Sequence, residues 1–101
     1  MFYAIYRWRL NEGMEEAFVG EWKRVTEEIY KTCGSYGSRL HKSEDGTYVA
    51  YAAWSSKEAR RKCWDKWDND KDLRKVMEKC VKTKFPDIFM EDISDLLKDK
   101  L

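Results

Sequence analysis

Proline occurs once in these 101 residues, at Pro86, and neither a repeat nor a low-complexity segment accompanies it, so nothing marks an internal domain boundary. No apolar run approaches the roughly 18 residues that a membrane-crossing helix requires. The opening Met1-Phe2-Tyr3-Ala4-Ile5-Tyr6-Arg7 lacks the charged-then-apolar order of a signal peptide. Neither sign of charge is in excess: 20 Lys and Arg against 19 Asp and Glu leave +1, too little field to draw in nucleic acid or an anionic membrane. Cysteine is scarce and odd in number. Cys33, Cys63 and Cys80 contain no CxxC, which argues against a disulfide framework or a zinc site. The expectation is a soluble, cytoplasmic chain with reduced thiols.

Rings, by contrast, are abundant. Aromatic residues make up 15% of the chain, with five Trp and six Tyr, and hydrophobic residues reach 43% beside 39% charge. The mean hydropathy of −0.83 is compatible with a packed core only if the charges are segregated onto solvent faces.

The order of elements follows from periodicity. Phe2, Ala4, Tyr6, Trp8 and Leu10 share one face of a strand, with Tyr3, Ile5, Arg7 and Arg9 on the other, and Asn11-Glu12-Gly13 stops it. Met14, Phe18, Trp22, Val25 and Ile29 form the apolar stripe of a helix that Gly34 ends. Residues 36–43 predict a weaker strand, Glu44-Asp45-Gly46-Thr47 a type I′ hairpin turn, and 48–54 a strand apolar on both faces. Ser55 and Glu58 suit a capping box for a helix carrying Ala59, Cys63, Trp64 and Trp67, which Asp68-Asn69-Asp70 breaks. Leu73, Val76, Met77, Cys80 and Val81 resume a helical stripe; 84–93 predicts a last strand, and Ser94 can cap a short helix or tail over 94–101.

The fold class is therefore α+β: a ferredoxin-like βαββαβ protomer with an antiparallel sheet and helices on one face, occupying 1–93. The second face of the first, third and fourth strands is also apolar, and a second copy of the chain is the economical source of cover. A homodimer through the sheet is expected.

Residues 2–10, the turn before Glu15-Glu16-Ala17-Phe18, Gly34-Ser35-Tyr36-Gly37-Ser38-Arg39-Leu40, and Tyr51-Ala52-Ala53-Trp54-Ser55-Ser56-Lys57-Glu58-Ala59 resemble the antibiotic biosynthesis monooxygenase family across roughly 2–93. The resemblance implies a dimeric α+β barrel and a pocket between helices and sheet. It also implies either a cofactor-independent monooxygenase of planar aromatic or enolisable substrates, a haem-degrading enzyme, or a member with no known activity. The chain departs from the haem-degrading set. Trp8 stands where that set has Asn, Trp64 is about one residue out of register with its helical Trp, and the only His is His41, far from the second helix.

Trp8, Trp64 and His41 are the catalytic candidates. The indoles can stack on a flat ligand, and the imidazole can act as a base near neutral pH. Tyr6, Arg7, Arg9, Tyr51 and Trp67 are candidate substrate contacts, the arginines as counter-charges to an enolate or carboxylate. The pocket is expected between the first helix, the 56–67 helix and the sheet, walled by Trp8 and Trp64, with Arg7 or Arg9 and His41 at its mouth. Each residue has a plainer role open to it: rings at these spacings pack cores, arginines reach a rim, and a lone His without an orienting partner sits on surfaces. Asp65, Asp68, Asp70 and Asp72 lack the Gly and terminal Glu of a calcium loop, and no phosphate loop, dinucleotide turn or nucleophile elbow is present. No metal and no cofactor are expected. The same element order occurs in RNA-recognition domains, but Gly46-Thr47-Tyr48-Val49-Ala50-Tyr51 lacks their Lys/Arg-Gly-Phe opening. A non-catalytic dimeric ligand-binding or structural protein stays open as the alternative, as does a lyase or isomerase.

Overall fold

In a computed structural model, residues 1–67 and 75–98 are described. The elements run β1 (Phe2–Leu10), α1 (Glu15–Cys33), β2 (Ser38–Lys42), β3 (Tyr48–Trp54), α2 (Lys57–Trp67), α3 (Lys75–Lys79), β4 (Val81–Lys84) and β5 (Ile88–Glu91). The antiparallel sheet has the order β2-β3-β1-β4, and β5 also pairs with β1. This is the expected α+β ferredoxin-like arrangement, with β1 and β3 as its central strands.

The expected final strand is split in two. Its first part starts earlier, at Val81, and pairs with Trp8–Leu10; its second, Ile88–Glu91, pairs with Phe2–Ile5. Pro86 lies between them, where it has no N–H to give the ladder. Of the described residues of the expected third helical stripe, Val76 and Met77 lie in α3: Met77 is buried, Val76 is exposed, and Val81 belongs to β4. Leu73 and the break at Asp68-Asn69-Asp70 lie outside the described residues. The expected C-terminal helix is not formed over 94–98, where Leu97 N donates to the side chain of Asp95; 99–101 lie outside the described residues.

α1 ends at Gly34, whose φ of 67° is the left-handed cap expected there. The hairpin is of a different type from the one expected. Type I′ needs positive φ at both central residues, yet among the described residues positive φ is confined to glycine. Gly46 N donates to Ser43 O, and Gly46 takes φ 88°, which is a type I turn followed by a left-handed glycine. α2 is capped by Ser56, not Ser55: its hydroxyl accepts from Ala59 N at 3.0 Å, and Glu58 turns to Arg61 instead.

The cysteine expectation is overturned. Cys33 and Cys63 are joined as a disulfide that ties the end of α1 to the middle of α2, while Cys80 is free and buried. The pair is 30 residues apart and has no motif spacing, so nothing local in the sequence reports it. The expectation of reduced thiols falls with it, and that expectation had supported the cytoplasmic reading. No helix among the described residues is long and apolar enough to cross a membrane.

Candidate functional site

The helix-covered face of the sheet combines large rings with small residues. Register sets Phe2 opposite Trp54 and Trp8 opposite Tyr48, while the middle of the two strands holds Ala4 opposite Ala52 and Tyr6 opposite Ala50. All eight side chains are buried. Ala52, near the centre of β3, borders volume that the side chains of α1 and α2 do not fill. The result is a cavity of about 270 Å³. Ala52, Trp54, Tyr6 and Trp8 form its sheet side, Trp22, Val25 and Ile29 its α1 side, and Trp64 its α2 side. Met77, Glu78, Val81 and Lys84 close the end formed by α3 and β4.

The rings are held in a continuous lattice. Tyr6 lies nearly parallel to Trp64, centroids 5.8 Å apart, and Trp54 meets Trp64 edge-on at 5.9 Å. Trp8 packs edge-on against Phe18 at 5.1 Å, and Phe18 in turn against Tyr48 at 5.9 Å. Such offset and edge-on pairs hold wall residues in fixed orientations. Polar groups are few. The Trp54 indole N–H is buried without an acceptor among the described residues, and Thr26, Ser35, Ser38, Glu78 and Lys84 add the rest of the polar lining. On the α2 flank, Arg60 Nε donates to the Tyr6 hydroxyl at 2.9 Å.

Of the residues singled out from the sequence, Trp8, Trp64 and Tyr6 meet at this cavity. The others do not. Arg7, Arg9, His41 and Tyr51 belong to the opposite face of the sheet, a consequence of strand alternation that their positions already contained. Arg7 lies over the Phe85 ring and donates to Pro86 O at 3.3 Å. Arg9 pairs with the Asp45 carboxylate at 3.3 Å. His41 is exposed, opposite Val49. Tyr51 stacks on Tyr3 at 5.2 Å, and burial pushes its phenol up. Trp67 is spent elsewhere: its indole N–H donates to Cys33 Sγ at 3.2 Å. The expected mouth of arginines and histidine is therefore absent, and Glu78 and Lys84 supply the charge that lines the cavity. Trp22, Trp54, Glu78 and Lys84 were not singled out as site residues. Trp22 had a signal in its place on the α1 stripe, and Trp54 in its place on the same strand face as Tyr48.

The haem-degrading residue set is not assembled either. His41 is exposed on the far face of the sheet.

No family model matches the chain, and no curated protein matches it. Solved structures do. The fold is shared with a protein of Bordetella bronchiseptica named for the antibiotic biosynthesis monooxygenases, with a TM-score of 0.78 and 15% identity over 92% of this chain and 97% of that one. It is shared with SnoaB of Streptomyces nogalater, a cofactor-independent oxygenase, with a TM-score of 0.78 and 16% identity over 96% and 97%. A Nitrosomonas europaea protein named for the same monooxygenases gives 0.74 at 13% identity over 93% and 100%. At these identities the likeness is one of fold. It is the protomer fold that the sequence resemblance implied.

Proposed function

We propose that the protein is a homodimeric, cofactor-independent monooxygenase of the antibiotic biosynthesis type, acting on a small planar aromatic or enolisable molecule. The observation that carries the reading is the cavity of about 270 Å³ walled by Tyr6, Trp8, Trp22, Trp54 and Trp64. It lies just below the usual range for ligand sites and has the usual chemistry, apolar walls with a few polar groups. The fold shared with SnoaB supports the reaction type. In such a reaction the ionised substrate carbon supplies the electrons. A CH₂ group and O₂ give C=O and water, so the protein has only to desolvate the ring, hold it flat and stabilise negative charge on its oxygen.

The dimer is part of the same reading. Tyr3, Ile5, Tyr51 and Ala53 remain half-buried, and Ile88 and Met90 exposed, on a face that none of the described helices covers. Packing two such faces together removes them from water. A cytoplasmic location then requires that Cys33 and Cys63 be reduced in the cell, which trapping of free thiols at lysis would read.

Oxygen uptake with a panel of anthrones, quinols and haem tests the proposal. Uptake with an anthrone or quinol that falls at least tenfold in Trp64→Ala is the expected result. Binding without uptake across the panel would overturn it in favour of a non-catalytic ligand-binding protein. That second reading draws on one observation: His41, the candidate base, lies on the far face of the sheet.

A further inference from the structure

We propose that Arg60 is a positioning residue for this cavity: it holds the Tyr6 hydroxyl in place and polarises it, so that Tyr6 is the hydrogen-bond donor to a negatively charged oxygen of a bound ring. The proposal rests on the reading of the cavity as a ligand site, and it is independent of whether oxygen is consumed there.

Arg60 lies in the first half of α2 with its side chain only 13% exposed. A guanidinium that far from water needs compensation. The carboxylate facing it, Asp87 Oδ2, is 3.9 Å away, well beyond the reach of a charge-assisted hydrogen bond. Three rings surround the guanidinium. The guanidinium carbon sits 4.5 Å from the Trp64 centroid and 4.5 Å from that of Phe89, with the Tyr6 ring at 5.6 Å. This cage fixes the plane of the fork, and the fork's Nε donates to Tyr6 Oη at 2.9 Å. Tyr6 is thus held twice, its ring by the stack on Trp64 and its oxygen by Arg60. A hydroxyl that accepts from a cation becomes a stronger donor through its own proton. Tyr6 lines the cavity and Arg60 does not, so the charge of Arg60 reaches a ligand through that hydroxyl. As mere glue between α2 and the sheet, an apolar side chain of similar volume would serve without the desolvation cost.

The readout is the ionisation of a bound phenol. Glu78 and Lys84 line the cavity and Asp87 faces Arg60, so their fields act on any such group as well and the variants must separate them. The probes are 1-naphthol and its methyl ether, followed by tryptophan fluorescence and by the absorbance of the naphtholate. In the wild type the pKa of bound 1-naphthol should fall by about one unit, a tenfold change in its ionisation constant. Tyr6→Phe and Arg60→Gln should each remove most of that fall, and Arg60→Lys should restore part of it. Lys84→Gln and Glu78→Gln should change it less than either. Binding of the methyl ether, which reports an intact cavity, should stay within about threefold in Arg60→Gln and Arg60→Lys, whose side chain does not line the cavity. If Arg60→Gln fails to fold by circular dichroism, Tyr6→Phe and Arg60→Lys carry the test. The proposal is overturned if bound 1-naphthol keeps its solution pKa while the ether binds, if the fall survives Arg60→Gln, or if Lys84→Gln alone abolishes it. Failure of both probes to bind would remove the ligand site itself, and the proposal with it.

Discussion

The two faces of the sheet are drawn from the same strands and yet end in opposite states. Beneath the helices, Phe2, Ala4, Tyr6 and Trp8 mix large side chains with small, as do Tyr48, Ala50, Ala52 and Trp54 across from them, and every one is buried. On the other face Tyr3, Ile5 and Arg7 oppose Ala53, Tyr51 and Val49, and each remains only half-buried. The first face is closed by its own chain and still leaves a cavity, where Ala52 is too short to meet the helices. The second is largely apolar beside Arg7, and no described helix covers it. Strand alternation assigns residues to faces; side-chain size then decides whether a covered face fills or stays hollow.

The sharpest way to break that contrast is to truncate one ring that fills and one that walls. Phe18 is fully buried between Trp8 and Tyr48, so Phe18→Ala should cost about 3–5 kcal/mol in urea unfolding. Trp64 is half-buried and already borders empty volume, so Trp64→Ala should lose less than half as much stability while weakening binding of a flat probe. Equal losses from the two would mean that the cavity side is as tightly packed as the core.

The covered face also depends on a covalent tie that the open face lacks. Cys33 and Cys63 close a span of 30 residues between α1 and α2. By loop-closure entropy such a bond stabilises by about 3.6 kcal/mol. Cys33→Ser with Cys63→Ser, or a reductant, should lower thermal stability accordingly and free Trp67 of its sulfur contact, visible as a change in tryptophan emission. No change in the melting temperature on adding reductant would show that the helices need no clamp.

For the open face the measurement is mass. Light scattering at micromolar concentration should give roughly twice the 12.2 kDa of one chain. Tyr51→Glu sets a charge in the middle of the patch and should yield a monomer that keeps its secondary structure. A wild-type monomer would leave the half-buried rings without a purpose in assembly.

How much of this the sequence discloses depends on the range of the interactions. Periodicity gives β1, α1 and β3 almost to the residue, because each buries one regular stripe. The split of the last strand was hidden because 81–84 carries a single apolar residue, Val81, and pairing with β1 supplies what pattern does not. Trp8, Trp64 and Tyr6 were legible as cavity walls because they combine ring size with a predicted face. Arg7, Arg9 and His41 were assigned to the mouth on chemistry alone, against the strand alternation that sends them to the other face. The disulfide and the Arg60–Tyr6 contact join residues 30 and 54 apart in sequence, and no local rule reports such pairs.

The smallest expected effect lies at the edge that both faces share, in the β2–β3 hairpin. The Ser43 hydroxyl donates to the Asp45 carboxylate, and Thr47 N donates to it at 2.9 Å. These bonds, chiefly that from Ser43, hold the carboxyl at about 2, below its ordinary 3.8. The ionised form is favoured by folding, so this contribution is complete above about pH 4 and fades as pH falls from there toward 2. Arg9, reaching across from β1, loses its partner in the same range. Asp45→Asn should therefore lower stability slightly at neutral pH and flatten this part of the acid limb, with wild type and variant converging near pH 2. The group is exposed, so the change in melting temperature should be the smallest of those described, and 1 M salt should reduce the Arg9 share while leaving the Ser43 and Thr47 bonds. An acid limb that is identical in Asp45→Asn and wild type would show that the turn holds its shape through Gly46 alone.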